Sequence, residues 1–408
     1  MKSKSPWKKI FPKTRRLSIN SEHHEGTTVK EAMATLGLYI HVPFCRSRCH
    51  FCAFYLQIYR EDRAQDYLTA LFREIELHAK QQTLDGRRLE TVYFGGGTPT
   101  ALQSLDLCEI LSCVQAGFGL QPDAEITVEA HPETVTVDGL AQLNRAGFNR
   151  ISFGVQSLDE SELAGMGRVL LPDSTRTAVA SAREAGFTNI SLDLIFGISG
   201  QTLESWQSTL AQAIALNSTH LSCYALTVEE GTRLIVDIRR GDRTNPEDAL
   251  QNAMEDEAIN QLTAAGFIRY EISNFCRPGY ACRHNALYWK DGEYLGLGPS
   301  AQSYVGGVRF GNVEDLKGYQ DMLARHCLPI AEREQLNPKQ RHREALVFGL
   351  RLIEGIPIES IHAHKLDADC EVKIALLLNE GWLEETGGRI KLTAAGRRFA
   401  DSVAVELL

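Results

Sequence analysis

One device recurs along the chain and restricts its fold more than any other: an amphipathic run, a glycine, then a β-rich run. The tripeptide Ala-Gly-Phe stands at 116–118, 146–148, 185–187 and 265–267. Each copy follows a helical spacing of apolar residues, such as Leu140, Leu143 and Ala146, and most precede a strand-like run. Glycine at the end of a helix takes the left-handed conformation that stops it, and the phenylalanine packs back over the last turn. The repeating unit is therefore helix, stop, strand.

The strands that fit are Leu38–Val42, Val92–Phe94, Glu125–Glu129, Arg150–Gly154, Asn189–Leu194 and His220–Ala225. Several read as continuously apolar, as expected of strands covered on both faces. Helical stretches lie between them near 63–82, 105–116, 136–146, 175–185 and 203–215. Strands alternating with helices predict a parallel α/β sheet, doubly wound or rolled into a barrel. In barrels, function gathers at the strand C-terminal ends. Gly95-Gly96-Gly97-Thr98, Glu129, Gln156, Asp193 and Tyr224 stand at or near those ends, a set suited to a small polar ligand.

After residue 230 the rhythm fades. Residues 248–265 read as a helix and Ile268–Ser273 as a strand, followed by a loop rich in aromatics and glycine to about 312. From Pro338 the pattern changes again. Arg343–Leu352 and Glu371–Glu380 read as helices, and a Gly387-Gly388 turn predicts a hairpin. Helices followed by a hairpin suggest a small winged-helix-like module. Glu380, Glu384 and Glu385 crowd it with negative charge, which argues against a role on nucleic acid.

Charge supports that exclusion. The chain carries 43 Lys and Arg against 52 Asp and Glu, a net charge of −9. Residues 1–30 hold eight of those cations and two Glu, a local +6, which leaves −15 for the body. The basic start lacks the apolar core of a secretory signal and reads as a disordered extension, with Met33 as an alternative start. No uncharged apolar run is long enough to span a membrane.

Ten cysteines, three of them within eight positions, do not resemble a secreted disulfide framework and point to a reducing cytoplasm. Cys45, Cys49 and Cys52 form a C-x3-C-x2-C run directly after the first strand. Structural zinc usually takes four protein ligands, often as two separated pairs, and no second pair stands nearby. A [4Fe–4S] cluster held by three thiolates keeps one iron open, suited to the amine and carboxylate of S-adenosylmethionine. Zinc, or three unrelated thiols, is the competing reading. Cys108, Cys113, Cys223, Cys327 and Cys370 read as small core residues, and Cys276 and Cys282, which could pair, read as free thiols in a reducing cytoplasm.

The cysteine spacing, Phe51 before the last of the three, and the Gly95–Thr98 loop resemble the radical S-adenosylmethionine superfamily. Tyr39-Ile40-His41-Val42-Pro43-Phe44-Cys45, Gly95-Gly96-Gly97-Thr98-Pro99-Thr100 and Gly154-Val155-Gln156-Ser157 narrow the resemblance to the oxygen-independent coproporphyrinogen III oxidase family, from about residue 37 onward. That resemblance implies an incomplete (β/α)6 radical SAM barrel followed by a smaller α+β, winged-helix-like C-terminal domain. The expected units are a basic extension (1–36), the partial barrel (37–235), a connecting region (236–330) and the C-terminal domain (331–408). The cluster ligands would be Cys45, Cys49 and Cys52. The S-adenosylmethionine contacts would be Tyr39, Phe51, Gly96, Gly97, Thr98, Glu129, Gln156, Arg168, Asp193 and Ala225.

Two features separate branches of the family. The oxidase branch resembles C-x3-C-x2-C-x-C, whereas Phe54 stands at the last position here. The heme-chaperone branch has Phe there and a His-Asn-x-x-Tyr-Trp motif, matched by His284-Asn285-Ala286-Leu287-Tyr288-Trp289. The resemblance implies heme as a third ligand, with His284, Tyr288, Trp289 and Cys282 as the residues that would touch it. Ala53, His131, Leu170 and Ser199 depart from that branch, and none is an inferred ligand. The expected function is a cytoplasmic heme chaperone that passes heme to acceptor apoproteins, membrane-bound ones included, without being an integral membrane protein. The alternatives are oxidative decarboxylation of coproporphyrinogen III through a 5′-deoxyadenosyl radical, and a zinc-bearing interaction module.

Overall fold

The computed structural model describes residues 36–168, 170–363 and 367–408. The basic extension up to residue 35 and the choice of start lie outside them. The expected parallel strands are all present, most of them longer than expected: β1 Leu36–Val42, β2 Leu89–Gly96, β3 Leu120–Ala130, β4 Arg150–Gln156, β5 Asn189–Phe196 and β6 His220–Ala225. They pair in parallel in chain order, with helices α1 Glu61–Lys80, α2 Ser104–Phe118, α3 Val137–Ala146, α4 Pro172–Glu184 and α5 Leu203–Ala215 between them. This is a partial (β/α)6 barrel.

Three of the four Ala-Gly-Phe copies act as read. Gly147, Gly186 and Gly266 take φ of 113°, 99° and 82°, and Phe148, Phe187 and Phe267 are buried. At the first copy the helix runs on through Gly117 to Phe118, and Gly119 (φ 73°) makes the turn instead.

The strands are not uniformly apolar, as the sequence suggested. They alternate. Ile151 and Phe153, Ile190 and Leu192, and Val92 and Phe94 belong to the buried apolar core. Their neighbours Arg150, Ser152, Gly154, Asp193 and Tyr93 line a cavity inside the barrel. Successive side chains on a strand point to opposite faces, so one strand serves both the core and the site.

The larger difference lies between residues 270 and 335. The helix expected at 248–265 is α6 Asp248–Ala264, but the expected loop holds helix α7 Arg283–Trp289 and strands that extend the same sheet. The strand expected at Ile268–Ser273 is the short β7 Ile268–Arg269, followed by β8 Asn274–Cys276, β9 Glu293–Leu297, β10 Gln302–Val305 and β11 Val308–Asn312 within the expected loop and β12 Ile330–Gln335 beyond it. Among the described residues the sheet has twelve strands, in the order β12-β11-β10-β9-β1-β2-β3-β4-β5-β6-β8-β7. Strand β9 pairs in parallel with β1, Leu38 opposite Leu295, so β1 is an interior strand. The glycines that made this region read as loop include Gly306 and Gly307, which turn the β10–β11 hairpin (φ 60° and 76°). Gly296 lies inside β9 because a Cβ there would meet the Gln302 carbonyl at 2.2 Å.

The C-terminal segment has its own core, built on Leu346, Ile374, Leu377, Leu383, Ile390 and Leu407. Its helices, Pro338–Gly349 and Ala368–Asn379, begin earlier than apolar spacing alone predicted. Caps set those starts: Asn337 accepts from Gln340 N at 2.9 Å, and Asp367 from Cys370 N at 3.3 Å. The predicted hairpin is present as Leu383–Thr386 and Arg389–Leu392, with Ile356–Pro357 added on its free edge. Among the described residues no helix is long and apolar enough to cross a membrane.

Candidate functional site: a cavity at the barrel mouth

Strand β1 ends at Val42, and the chain turns through Pro43 into the loop that carries the three cysteines. Backbone bonds fix both ends of that loop. Phe44–Cys45 pairs with Gln57–Ile58, and Tyr59 N donates to the Cys45 carbonyl at 2.9 Å. His50 N donates to Met166 O (2.9 Å), and Leu234 N to His50 O (2.8 Å). The Gly95–Thr98 turn lies against the same segment, with Gly97 N on Val42 O (2.8 Å) and Thr98 N on Phe44 O (2.7 Å). Gly97 has to be glycine: a Cβ would sit 2.6 Å from the Phe44 carbonyl oxygen.

Cys45, Cys49 and Cys52 all line one cavity of about 1100 Å³ at this end of the barrel. Cys45 Sγ is 3.4 Å from the Thr98 hydroxyl, and Arg168 Nη1 is 3.6 Å from Cys49 Sγ. Burial and the other two thiols push the Cys45 thiol up to about 11, with Thr98 working the other way. Thiols that raise one another in a half-buried loop are stabilised as thiolates by a cation or metal centre. Among the described residues no three Cys, His, Asp or Glu gather around one ion-sized point. A four-iron cube does not need that convergence, because each thiolate binds a different iron.

Nine of the ten expected S-adenosylmethionine contacts line this cavity: Phe51, Gly96, Gly97, Thr98, Glu129, Gln156, Arg168, Asp193 and Ala225. Tyr39 does not. Its ring stacks on Tyr93, and its hydroxyl lies 3.3 Å from His41 Nδ1. Register brings the acidic pair together. Glu129 stands opposite Ser152 on β4, and Asp193 opposite Ser222 on β6. Tyr93 donates to Glu129 at 2.8 Å, and Asp193 accepts from Ser222 (2.7 Å) and Ser152 (3.0 Å). Burial first, then Asp193, pushes Glu129 up to about 7, and burial raises Asp193 as well. The pair is suited to ligand hydroxyls and a positive charge. Gln156 adopts φ 71° at a break in the β4–β5 register, a left-handed non-glycine conformation on the cavity wall. Arg168, by default a surface residue, is 8% exposed and donates to the Gly154 carbonyl.

Of the four departures, Ala53 and His131 line the cavity, whereas Leu170 and Ser199 do not. His131 caps the turn after β3, accepting from Glu133 N at 3.2 Å, and burial holds it down at about 3.

The four residues expected to touch heme do not share one surface. His284 is 1% exposed, with Nδ1 2.8 Å from Thr91 Oγ1 and Nε2 2.8 Å from Tyr288 Oη. Burial and Arg150 hold its imidazole down at about 3, that is, neutral. Cys282 is fully buried and donates to Glu125 at 3.5 Å. Trp289 faces a separate cavity of about 360 Å³ at the joint with the C-terminal unit, under the Arg351 guanidinium. From the motif, only Asn285 reaches the barrel cavity. Cys327, read as a core residue, is exposed.

Sequence reading missed the cavity floor: Tyr93, Arg150, Ser152 and Ser222. Parity was the available signal, since Arg150 and Ser152 fall on the same face of β4 as Gly154.

Comparison with known proteins agrees with this geometry. The Radical SAM superfamily profile matches residues 39–213, and the HemN C-terminal domain profile matches 336–399. The heme chaperone HemW of Mycobacterium tuberculosis is 38% identical over 375 residues, 91% of this chain and 94% of that protein. HemW of Escherichia coli is 34% identical over 380 residues, 90% of this chain and 97% of that one. Among solved structures, the E. coli coproporphyrinogen III oxidase HemN, a radical SAM enzyme, superposes with a TM-score of 0.79 at 26% identity. That match covers 92% of this chain and 90% of HemN. By a relationship that spans nine tenths of its length as well as by its barrel, the chain belongs to the HemW family of radical SAM proteins.

Proposed function

We propose that the chain is a radical SAM heme chaperone that binds heme and passes it to acceptor apoproteins in the cytoplasm, membrane-bound acceptors included. Cys45, Cys49 and Cys52 would hold a [4Fe–4S] cluster. Glu129, Gln156, Arg168, Asp193 and the Gly96–Thr98 turn would hold S-adenosylmethionine beside it. When bound, the cluster supplies an electron source and an open iron position. The residues of this chain orient and shelter the ligand. Glu129 and Asp193 accept from hydroxyls, Arg168 pairs with a carboxylate, and the glycines admit the ligand to the backbone.

One observation supports the chaperone over the decarboxylase most directly: relatives named heme chaperone HemW align along nine tenths of the chain at 33–38% identity. Phe54, 68% exposed on the cavity rim where the oxidase branch carries a fourth cysteine, supports the same choice. The test is anaerobic reconstitution followed by heme titration. One heme per chain supports the reading. The absence of saturable heme binding sinks it.

A further inference from the structure

The floor of the barrel cavity holds a cation that the cofactor reading leaves unused. Arg150 opens strand β4 and is 1% exposed. Nε and Nη1 have no hydrogen-bond partner among the described residues, yet the side chain lines the cavity. Buried guanidinium donors left without an acceptor are costly, and the planar fork matches a carboxylate in two parallel bonds. The nearby carboxylates Glu125, Glu129 and Asp193 share the field of Arg150 but accept their hydrogen bonds from other groups. Glu125 accepts from Arg283 N (3.0 Å), His284 N (3.1 Å) and Cys282 Sγ, holding the N-terminus of α7. Asp193 is held by Ser222 and Ser152, and Glu129 by Tyr93.

The cavity is ordered by charge along the barrel axis. Arg168 reaches Gly154 beside the cysteine loop, Glu129 and Asp193 lie at the level of Ser152 and Gly154, and Arg150 lies below. Four residues of strand separate Gly154 from Arg150, about 13 Å at the usual rise. Arg168 at the mouth is placed for the carboxylate of S-adenosylmethionine, and the acidic pair for its hydroxyls and positive charge. A volume of about 1100 Å³ lies at the upper end of the range for one small-molecule pocket and extends to both Arg168 and Arg150. Phe51, Phe54, Leu56, Ile195 and Leu226 add apolar side chains toward the mouth of the cavity, where the ring of a ligand reaching down to Arg150 would pass.

From this arrangement we propose that Arg150 is the receptor for a propionate carboxylate of a tetrapyrrole that enters the barrel beside S-adenosylmethionine. The proposal rests on the tetrapyrrole reading above but does not require that the tetrapyrrole be heme. A propionate at Arg150 would satisfy the two nitrogens left without a hydrogen bond, adding to the field of Glu125 that already acts on this cation, and would turn the ring's carboxylate edge toward the floor.

The test is a titration of the anaerobically reconstituted full chain, with S-adenosylmethionine present, using four probes: heme, heme dimethyl ester, coproporphyrin III and its tetramethyl ester. The wild type should bind the free acids more tightly than the esters by roughly 10- to 100-fold, as for a charge-assisted hydrogen-bonded pair. Arg150→Met should bring that ratio close to one. Arg150→Lys, which keeps the buried charge and serves if the methionine variant does not fold, should give a ratio in between. A ratio unchanged in both variants, or a wild type without acid preference for either porphyrin, overturns the proposal. Failure of the wild type to bind heme, with the coproporphyrin ratio behaving as described, removes the chaperone reading and leaves the role of Arg150 standing.

Discussion

Tyr288 holds the imidazole of His284 from the side opposite Thr91, its phenolic oxygen 2.8 Å from Nε2 and its ring edge-on at 5.1 Å. The second nitrogen is taken by Thr91, and Tyr93 stacks on the face of the ring at 5.0 Å. The His-Asn-x-x-Tyr-Trp motif therefore forms part of the sheet-to-helix packing in this conformation. Thr91→Val should cost about 1–3 kcal/mol, because it leaves a buried ring nitrogen unpaired. A denaturation midpoint equal to the wild type's would contradict this. If the imidazole serves heme, its bond to Tyr288 has to break first, so Tyr288→Phe should tighten heme binding rather than weaken it.

Replacing any one of Cys45, Cys49 or Cys52 by Ala should abolish the cluster. The wild type, reconstituted without oxygen, should be brown and carry about four iron and about four sulfide per chain. Stoichiometric zinc without sulfide would favour the interaction-module reading. Glu129→Ala and Asp193→Ala should retain iron, since neither residue is a ligand in the proposed set. They should weaken S-adenosylmethionine roughly 5- to 150-fold.

How much of this was legible in the sequence depended on how local each signal was. The βα units were readable because each is a contiguous helix, glycine and strand. Strands β9 to β12 were not, since β9 pairs with β1 across more than 250 residues and its only local marks are glycines that resemble turns. The cysteine loop and the Gly95–Thr98 turn stood out as compact motifs. Arg150 did not, because a lone cation in a short apolar run reveals its face only once strand parity is applied. Motif identity also misled about position: His284 and Trp289 lie five residues apart on α7, and one packs under the barrel while the other faces the C-terminal unit.

Binding of S-adenosylmethionine should depend on pH through Glu129. Its carboxyl sits near 7, raised by burial and Asp193, and is therefore mostly protonated under mildly acidic conditions. A ligand with hydroxyls and a positive charge prefers the ionised form, so affinity should rise from about pH 6 to about pH 8. Glu129→Gln should flatten that profile. An equal rise in the variant would assign the titration to another group.

Glu74 gives a separate prediction for the fold. Fully buried on α1, it accepts from Gly298 N (2.8 Å), Asn312 Nδ2 (2.6 Å) and Tyr319 Oη (2.7 Å), tying the helix to the strands beyond β1. Burial pushes it up to about 7, with the three donors opposing. A carboxyl raised in the folded state favours folding fully below its unfolded value near 4.5. That contribution falls as pH rises toward 7 and is absent above. Relative to Glu74→Gln, the wild type should therefore lose up to about 3 kcal/mol between about pH 4.5 and about pH 7.5. Parallel stability profiles for the two proteins would contradict the assignment.

On the proposed reading the chain carries a tetrapyrrole rather than decarboxylating one. The most direct measurement is anaerobic incubation of the reconstituted protein with coproporphyrinogen III, S-adenosylmethionine and a reductant, followed by analysis of porphyrin, carbon dioxide and methionine, with heme binding titrated in parallel. One heme should bind per chain, with no conversion to protoporphyrinogen IX. Multiple turnovers, with carbon dioxide and methionine released together, would contradict it.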